Sequence, residues 1–173
     1  GAAFAAVWKL TPLLHAGGIW RDVAPAGVLD VFVQVVATLP GATPPIRQLL
    51  TQRLRAPGGV TFAPVGGGCA LPHPSARVSL GRASGTVALV LLREPLPLAE
   101  PPADNEPVTR LIFFIAPSPR AHLDLLGRLS RLLVRGSLRE LLVRAATDAE
   151  IFQAVATADE AAAPGAKDKE TAP

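Results

Sequence analysis

Three histidines are the side chains of this sequence best suited to chemistry near neutral pH, because imidazole titrates there without a shifted pKa. His15 falls near a helix end, just before Gly17 and Gly18, where an imidazole commonly meets free carbonyls, so a structural or surface role is expected of it. His73 lies between Pro72 and Pro74. The two pyrrolidine rings fix φ on either side, so the imidazole rides on a stiff turn that continues neither a helix nor a ladder. The triple glycine Gly66-Gly67-Gly68 upstream lets backbone approach this turn closely. Residue physics leaves both a rigid surface turn and a reactive site open at His73. His122 falls about four positions after Ser118, inside the first turn of a helix, where free N–H groups disfavour imidazolium and favour bound anions. A neutral donor beside a phosphate is what such a position supplies, and a partly buried capping-turn histidine is the plainer alternative.

The elements that must position these rings are legible in outline. Helical periodicity runs over 2–14, over 28–38 (Val28, Leu29, Phe32, Val35, Val36) and over 46–54, the last stopped by Pro57-Gly58-Gly59. From Val60 to Leu71 short apolar pieces around the Gly turn suit short strands. Thr86–Leu92 and Thr109–Ala116 read as buried strands, and the unbroken apolar run of the second suits a central strand covered on both faces. Between them, Pro95–Pro107 is a proline-rich surface connection. Three helices follow. Ser118-Pro119 marks the first start, and Ser137 to Glu140 and Thr147 to Glu150 both match the capping box. On the first of these helices Leu123, Leu126, Leu129, Leu132 and Leu133 are expected to be buried, with Asp124, Arg128, Arg131 and Arg135 on other faces, and Gly136 ends it. Strands in the middle with helices on either side predict an α/β sandwich on a mixed sheet. One domain over 1–157 with a disordered tail over 158–173 is expected, since the tail has too little bulky apolar surface to be held down.

Composition removes several function classes. The one cysteine, Cys69, excludes an intramolecular disulfide and a multi-cysteine zinc site, which suits a reducing cytoplasm. A net charge of +3 with dispersed arginines does not form a nucleic-acid stripe. The longest apolar stretches fall well short of the ~20 residues of a spanning helix, and the amino-terminal one lacks a basic leader, so neither membrane insertion nor a signal peptide is expected. The sequence opens on Gly1 and contains no methionine, so it reads as a fragment or processed piece of a longer chain. Gly66-Gly67-Gly68 is followed by Cys69-Ala70, so there is no Gly-Lys-Ser/Thr phosphate loop and no dinucleotide fingerprint, and no nucleophile elbow or His-Glu-x-x-His is present. Cys69, His73 and His122 have no diagnostic metal-ligand spacing, so neither a metal nor another cofactor is expected.

The stretch Gly66-Gly-Gly-Cys-Ala-Leu-Pro-His73 resembles the phosphorylation-site motif of the fructose/mannitol and nitrogen-regulatory enzyme IIA family, Gly-x-Gly-hydrophobic-Ala-hydrophobic-Pro-His. The likeness continues in order through Asp104-Asn105-Glu106-Pro107-Val108, Ala116-Pro117, and Ala121-His122-Leu123-x-Leu125-Leu126. It is strong from about Gly66 to Val155 and weaker over Leu10 to Leu54. The resemblance implies the family's α/β fold. It also implies a phosphocarrier in which His73 takes a phosphoryl group from a phosphohistidine on the carrier HPr or its nitrogen-branch counterpart. His122 would be the second active-site histidine. Partners implied are that carrier and a IIB domain or regulatory target, with no metal required. The two imidazoles would then have to face one cleft.

The family's Arg-Glu pair ahead of a Ser/Thr-rich turn is altered here. The corresponding region reads Gln52-Arg53-Leu54-Arg55-Ala56-Pro57, without the glutamate, and the turn has become Phe62-Ala63-Pro64. Arg53, Arg55 and Arg77 are the candidates for the arginine that clamps phosphoryl oxygens, each with a solvated surface role as the alternative. The same alteration motivates a second expectation, a sensory or interaction module that keeps the fold without phosphorylation, joined to an upstream DNA-binding domain.

Overall fold

The computed structural model describes residues 8–80 and 84–162. Helix α1 (Leu10–Gly17) leads into strand β1 (Ile19–Val23), and helices α2 (Val28–Ala37) and α3 (Pro44–Arg55) follow. Four short strands come next: β2 (Val60–Thr61), β3 (Pro64–Gly66), β4 (Cys69–Ala70) and β5 (His73–Pro74). The long strands β6 (Thr86–Leu92) and β7 (Arg110–Ile115) precede helices α4 (Pro119–Arg135), α5 (Leu138–Val143) and α6 (Asp148–Ala161). Five strands form one sheet in the order β1-β6-β7-β4-β3, with β1/β6 and β4/β7 parallel and β6/β7 and β3/β4 antiparallel. Strands β2 and β5 make a separate antiparallel pair. The mixed sheet flanked by helices expected from the sequence is the fold observed.

Strand alternation divides the sheet's side chains between two cores. Val87, Leu89, Ile112 and Phe114 face α1, α4, α5 and α6, whereas Ala88, Val90, Leu111, Phe113 and Ile115 face α2 and α3. Phe113 and Phe114 are both fully buried, each contributing about 2–3 kcal/mol of apolar burial. That is why β7 reads as an unbroken apolar run. Helix α1 lies so close to β6 that a Cβ at Gly17 would stand 2.0 Å from the Val87 carbonyl oxygen. The triple glycine is required for another reason: Gly66, Gly67 and Gly68 have φ of 85°, 64° and 78°, three successive left-handed residues in the β3–β4 turn.

Several local expectations are corrected. The helix expected over 2–14 begins at Leu10 among the described residues and runs on to Gly17, while 1–7 lie outside them. Strand β1, unassigned from the sequence, pairs at the sheet edge. Ser118 caps α4 by accepting from the Ala121 amide, and Thr147 and Glu150 form the expected capping box. Ser137 does not cap, because its backbone is already helical (φ −75°, ψ −8°) and a capping side chain needs an extended one. On α4 the buried stripe is Ala121, Leu125, Leu129, Leu132 and Leu133, while Leu123 is 66% exposed and Leu126 half-buried.

Arg128, expected on a face other than the buried stripe, is itself buried and donates to Asp159 of α6 at 3.1 Å. Asp159 also accepts from the Leu10 and Thr11 amides at 2.7 and 2.9 Å and from the Thr11 hydroxyl at 2.6 Å, occupying free donors at the start of α1. This carboxylate holds the end of α6, so the chain is helical to Ala161 rather than disordered from 158. Residues 163–173 lie outside the described ones. Among the described residues no helix is long and apolar enough to cross a membrane.

Candidate functional site

The segment carrying His73 is fastened from three directions. The Leu71 amide donates to the Ala63 carbonyl at 3.0 Å, the Phe114 amide of β7 donates to the Pro72 carbonyl at 3.0 Å, and the Ser75 amide donates to the Gly59 carbonyl at 2.9 Å. Thr61 pairs with His73 across the small sheet, and the Thr61 and Ser75 hydroxyls meet at 2.7 Å. On this scaffold the His73 ring is turned back so that Nδ1 lies 2.8 Å from the Leu71 carbonyl oxygen. A carbonyl oxygen only accepts, so Nδ1 carries a proton, and in the neutral ring Nε2 keeps its lone pair.

His122 enters from the first turn of α4, its amide donating to the Ser118 carbonyl at 3.0 Å. The two imidazoles meet edge to face, with centroids 4.8 Å apart and planes at 77°. The Phe114 ring lies 5.1 Å from both and forms a common apolar wall. Burial pushes the pKa of His122 below the usual histidine value, and the charges of His73 and Arg77 push it further the same way. A neutral ring at the positive end of a helix offers one N–H to an anion without itself becoming charged.

The three candidate arginines separate. Arg77 lines the cleft with His122, Phe114, Pro74, Leu50 and Ser118, and its guanidinium reaches the Pro119 carbonyl at 3.5 Å. Arg53 donates to the backbone carbonyl of Arg77 at 3.0 Å, tying α3 to the loop that carries Arg77. Arg55 points elsewhere, to Asp30 of α2 at 3.4 Å. His15 is also remote, stacked on Phe152 at 4.1 Å. Cys69 is a buried free thiol whose pKa is raised by burial, the opposite of a poised nucleophile. Among the described residues no group of three or more His, Cys, Asp or Glu is placed to hold a metal ion. Sequence reasoning missed the Leu71 carbonyl and the Phe114 wall. A main-chain acceptor carries no residue signature, and a core phenylalanine looks the same whether or not a site lies over it.

The fold and cleft together define an α/β domain built to present paired imidazoles at one end of a sheet. The family model described as "Phosphoenolpyruvate-dependent sugar phosphotransferase system, EIIA 2" matches residues 32–158, and the chain belongs to that family. Similar solved structures include Nitrogen Regulatory Protein IIA-Ntr from Neisseria meningitidis, with a TM-score of 0.56 and 20% identity over 81% of this chain and 93% of that one. A structure assigned as a PTS IIA domain from Streptococcus pyogenes gives 0.56 and 19% over 88% and 98% of the two chains. Another assigned as PTS IIA, from Streptococcus mutans, gives 0.56 and 17% over 92% and 99%. These are likenesses of fold. No curated protein matches the sequence.

Proposed function

We propose that this phosphotransferase-system IIA domain accepts a phosphoryl group on Nε2 of His73. The donor is a phosphohistidine of an HPr-type carrier, HPr or its nitrogen-branch counterpart. The group is then handed to a IIB domain, or the phosphorylated state is read by a regulatory target in the cytoplasm. The observation that carries this reading is the 2.8 Å contact of Nδ1 with the Leu71 carbonyl, which leaves Nε2 as the nucleophile beside His122. In the step, the Nε2 lone pair forms the bond to phosphorus while the phosphorus–nitrogen bond to the donor ring breaks and its electron pair returns to that nitrogen. No proton has to move if each ring keeps its own N–H. Arg77, which lines the same cleft as His122, supplies donors for the phosphoryl oxygens in this reading, and neutral His122 supplies one more. Arg53 acts through the Arg77 backbone as a positioning residue.

Incubation with phosphorylated HPr tests this. The protein should gain one acid-labile, alkali-stable phosphoryl group by intact mass, and His73→Gln should gain none. Absence of labelling in the folded wild type, or equal labelling of His73→Gln, refutes the reading and favours the unphosphorylated sensory module.

A further inference from the structure

Charge of one sign gathers at the cleft end of the molecule. Between Asp30 and Glu94 the sequence holds no carboxylate, and of the arginines in that stretch Arg77 lines the cleft and Arg53 is bonded to the Arg77 carbonyl. Strand pairing accounts for the separation. β7 ends beside the start of β6, and His73 follows β4, which runs parallel to β7, so both histidines and Arg77 come to this end of the sheet. The loop from β6 to β7 crosses the opposite end and carries Glu94, Glu100, Asp104 and Glu106.

Among the described residues, Arg21, Arg55, Arg93, Arg128, Arg139 and Arg144 each pair with a carboxylate. Arg53 and Arg77 meet only backbone carbonyls, and Arg120 is exposed directly after Pro119 on the rim. Leu123, 66% exposed, stands four residues after Pro119 and shares its helix face. The carboxylate nearest in sequence is Asp124, which shares the Arg120 face one turn on but is half-buried with Oδ2 out of solvent, so the exposed charge of that face is the Arg120 guanidinium. A phosphoryl group seated in the cleft would occupy Arg77. Arg120 and Leu123 lie outside it and would meet whatever protein delivers that group.

Resting on the phosphoryl-acceptor reading, we infer that the protein docking on this cleft presents a carboxylate-rich face around its histidine, which Arg120 reads beside the apolar contact of Leu123. Complementary charge at such a rim raises the rate of productive encounter and suppresses partners with a like-charged face. The bonding chemistry inside the cleft is unaffected.

Two phosphorylated HPr variants, identical except that the residues ringing the phosphohistidine are glutamates in one and lysines in the other, make the test. Transfer to His73 from the glutamate-ringed carrier should be faster by about tenfold or more at low salt. The advantage should shrink toward unity at about 0.5 M salt, where the screening length falls to a few ångströms. Arg120→Glu should reverse the preference and Arg120→Lys should keep it. Phosphoramidate, a small donor with no docking face, should label wild type and Arg120→Glu equally. Equal rates from the two carriers, or a faster lysine-ringed one, overturn the inference even when phosphoramidate labels His73. If no donor labels His73, the acceptor reading fails and the inference falls with it.

Discussion

Asp159→Ala would remove the carboxylate that joins three helices, and the cost can be worked from its contacts. Asp159 is 8% exposed and accepts from the Leu10 amide, the Thr11 amide, the Thr11 hydroxyl and Arg128. Without it the Arg128 guanidinium is left buried and unpaired, and removing one partner of a buried pair costs about 3–5 kcal/mol. The uncapped start of α1 adds about 1 kcal/mol, partly offset by relaxation, so about 4 kcal/mol is expected. At about 2–4 °C per kcal/mol for a domain of this size, the midpoint should drop by roughly 8–16 °C. Asp159→Asn keeps an acceptor oxygen and should lose about half as much. Arg128→Met combined with Asp159→Leu removes both charges and should recover most of the loss. Guanidinium titrations followed by circular dichroism measure all four proteins. A loss below about 1 kcal/mol for Asp159→Ala, or a double variant as damaged as the single one, would refute the account of this pair.

Three more outcomes are expected. The NMR titration of His122 should have its midpoint below 6.5, and Arg77→Ala should raise it; because the unfolded ring binds its proton first, stability should fall as pH drops below 6.5 and stay level above, and His122→Gln should remove that decline. Arg77→Ala should slow phosphoryl transfer by about a hundredfold as a lost electrostatic stabiliser, whereas Arg55→Ala, losing an exposed pair with Asp30, should change it by less than about twofold. Gly17→Ala, whose Cβ would overlap the Val87 carbonyl, should cost about 3 kcal/mol by forcing α1 off β6, measured by thermal denaturation.

What could be read in advance depended on whether the determining contacts were local. Strands β6 and β7 were plain because both faces are covered and Val87–Leu92 and Leu111–Ile115 are apolar throughout. The caps at Ser118 and Thr147 were legible because donor and acceptor lie three residues apart. Ser137 has the same pattern and fails, since only the backbone angle left by the end of α4 decides whether a cap forms. The burial of Arg128 was not legible because its partner comes 31 positions later on another helix. The stripe on α4 went to Leu123 instead of Leu125, two leucines that periodicity alone does not rank in so leucine-rich a helix. At the cleft, residue physics marked His73 and His122 separately, and only the family motif suggested that they belong together. The choice among Arg53, Arg55 and Arg77 turned on where three flexible side chains land, which spacing does not encode.

In the proposed acceptor role, the bond from His73 Nδ1 to the Leu71 carbonyl would bear on group-transfer potential as well as on nucleophilicity. A phosphoryl group on Nε2 draws electron density from the ring, so the Nδ1–H becomes a stronger donor and its bond to the carbonyl tightens. That tightening lowers the energy of the loaded ring and sets how readily the group moves on. The acceptor belongs to the main chain, so a side-chain substitution at Leu71 leaves it in place. The exchange energy of such a carrier can thus hold steady while the residues around it drift.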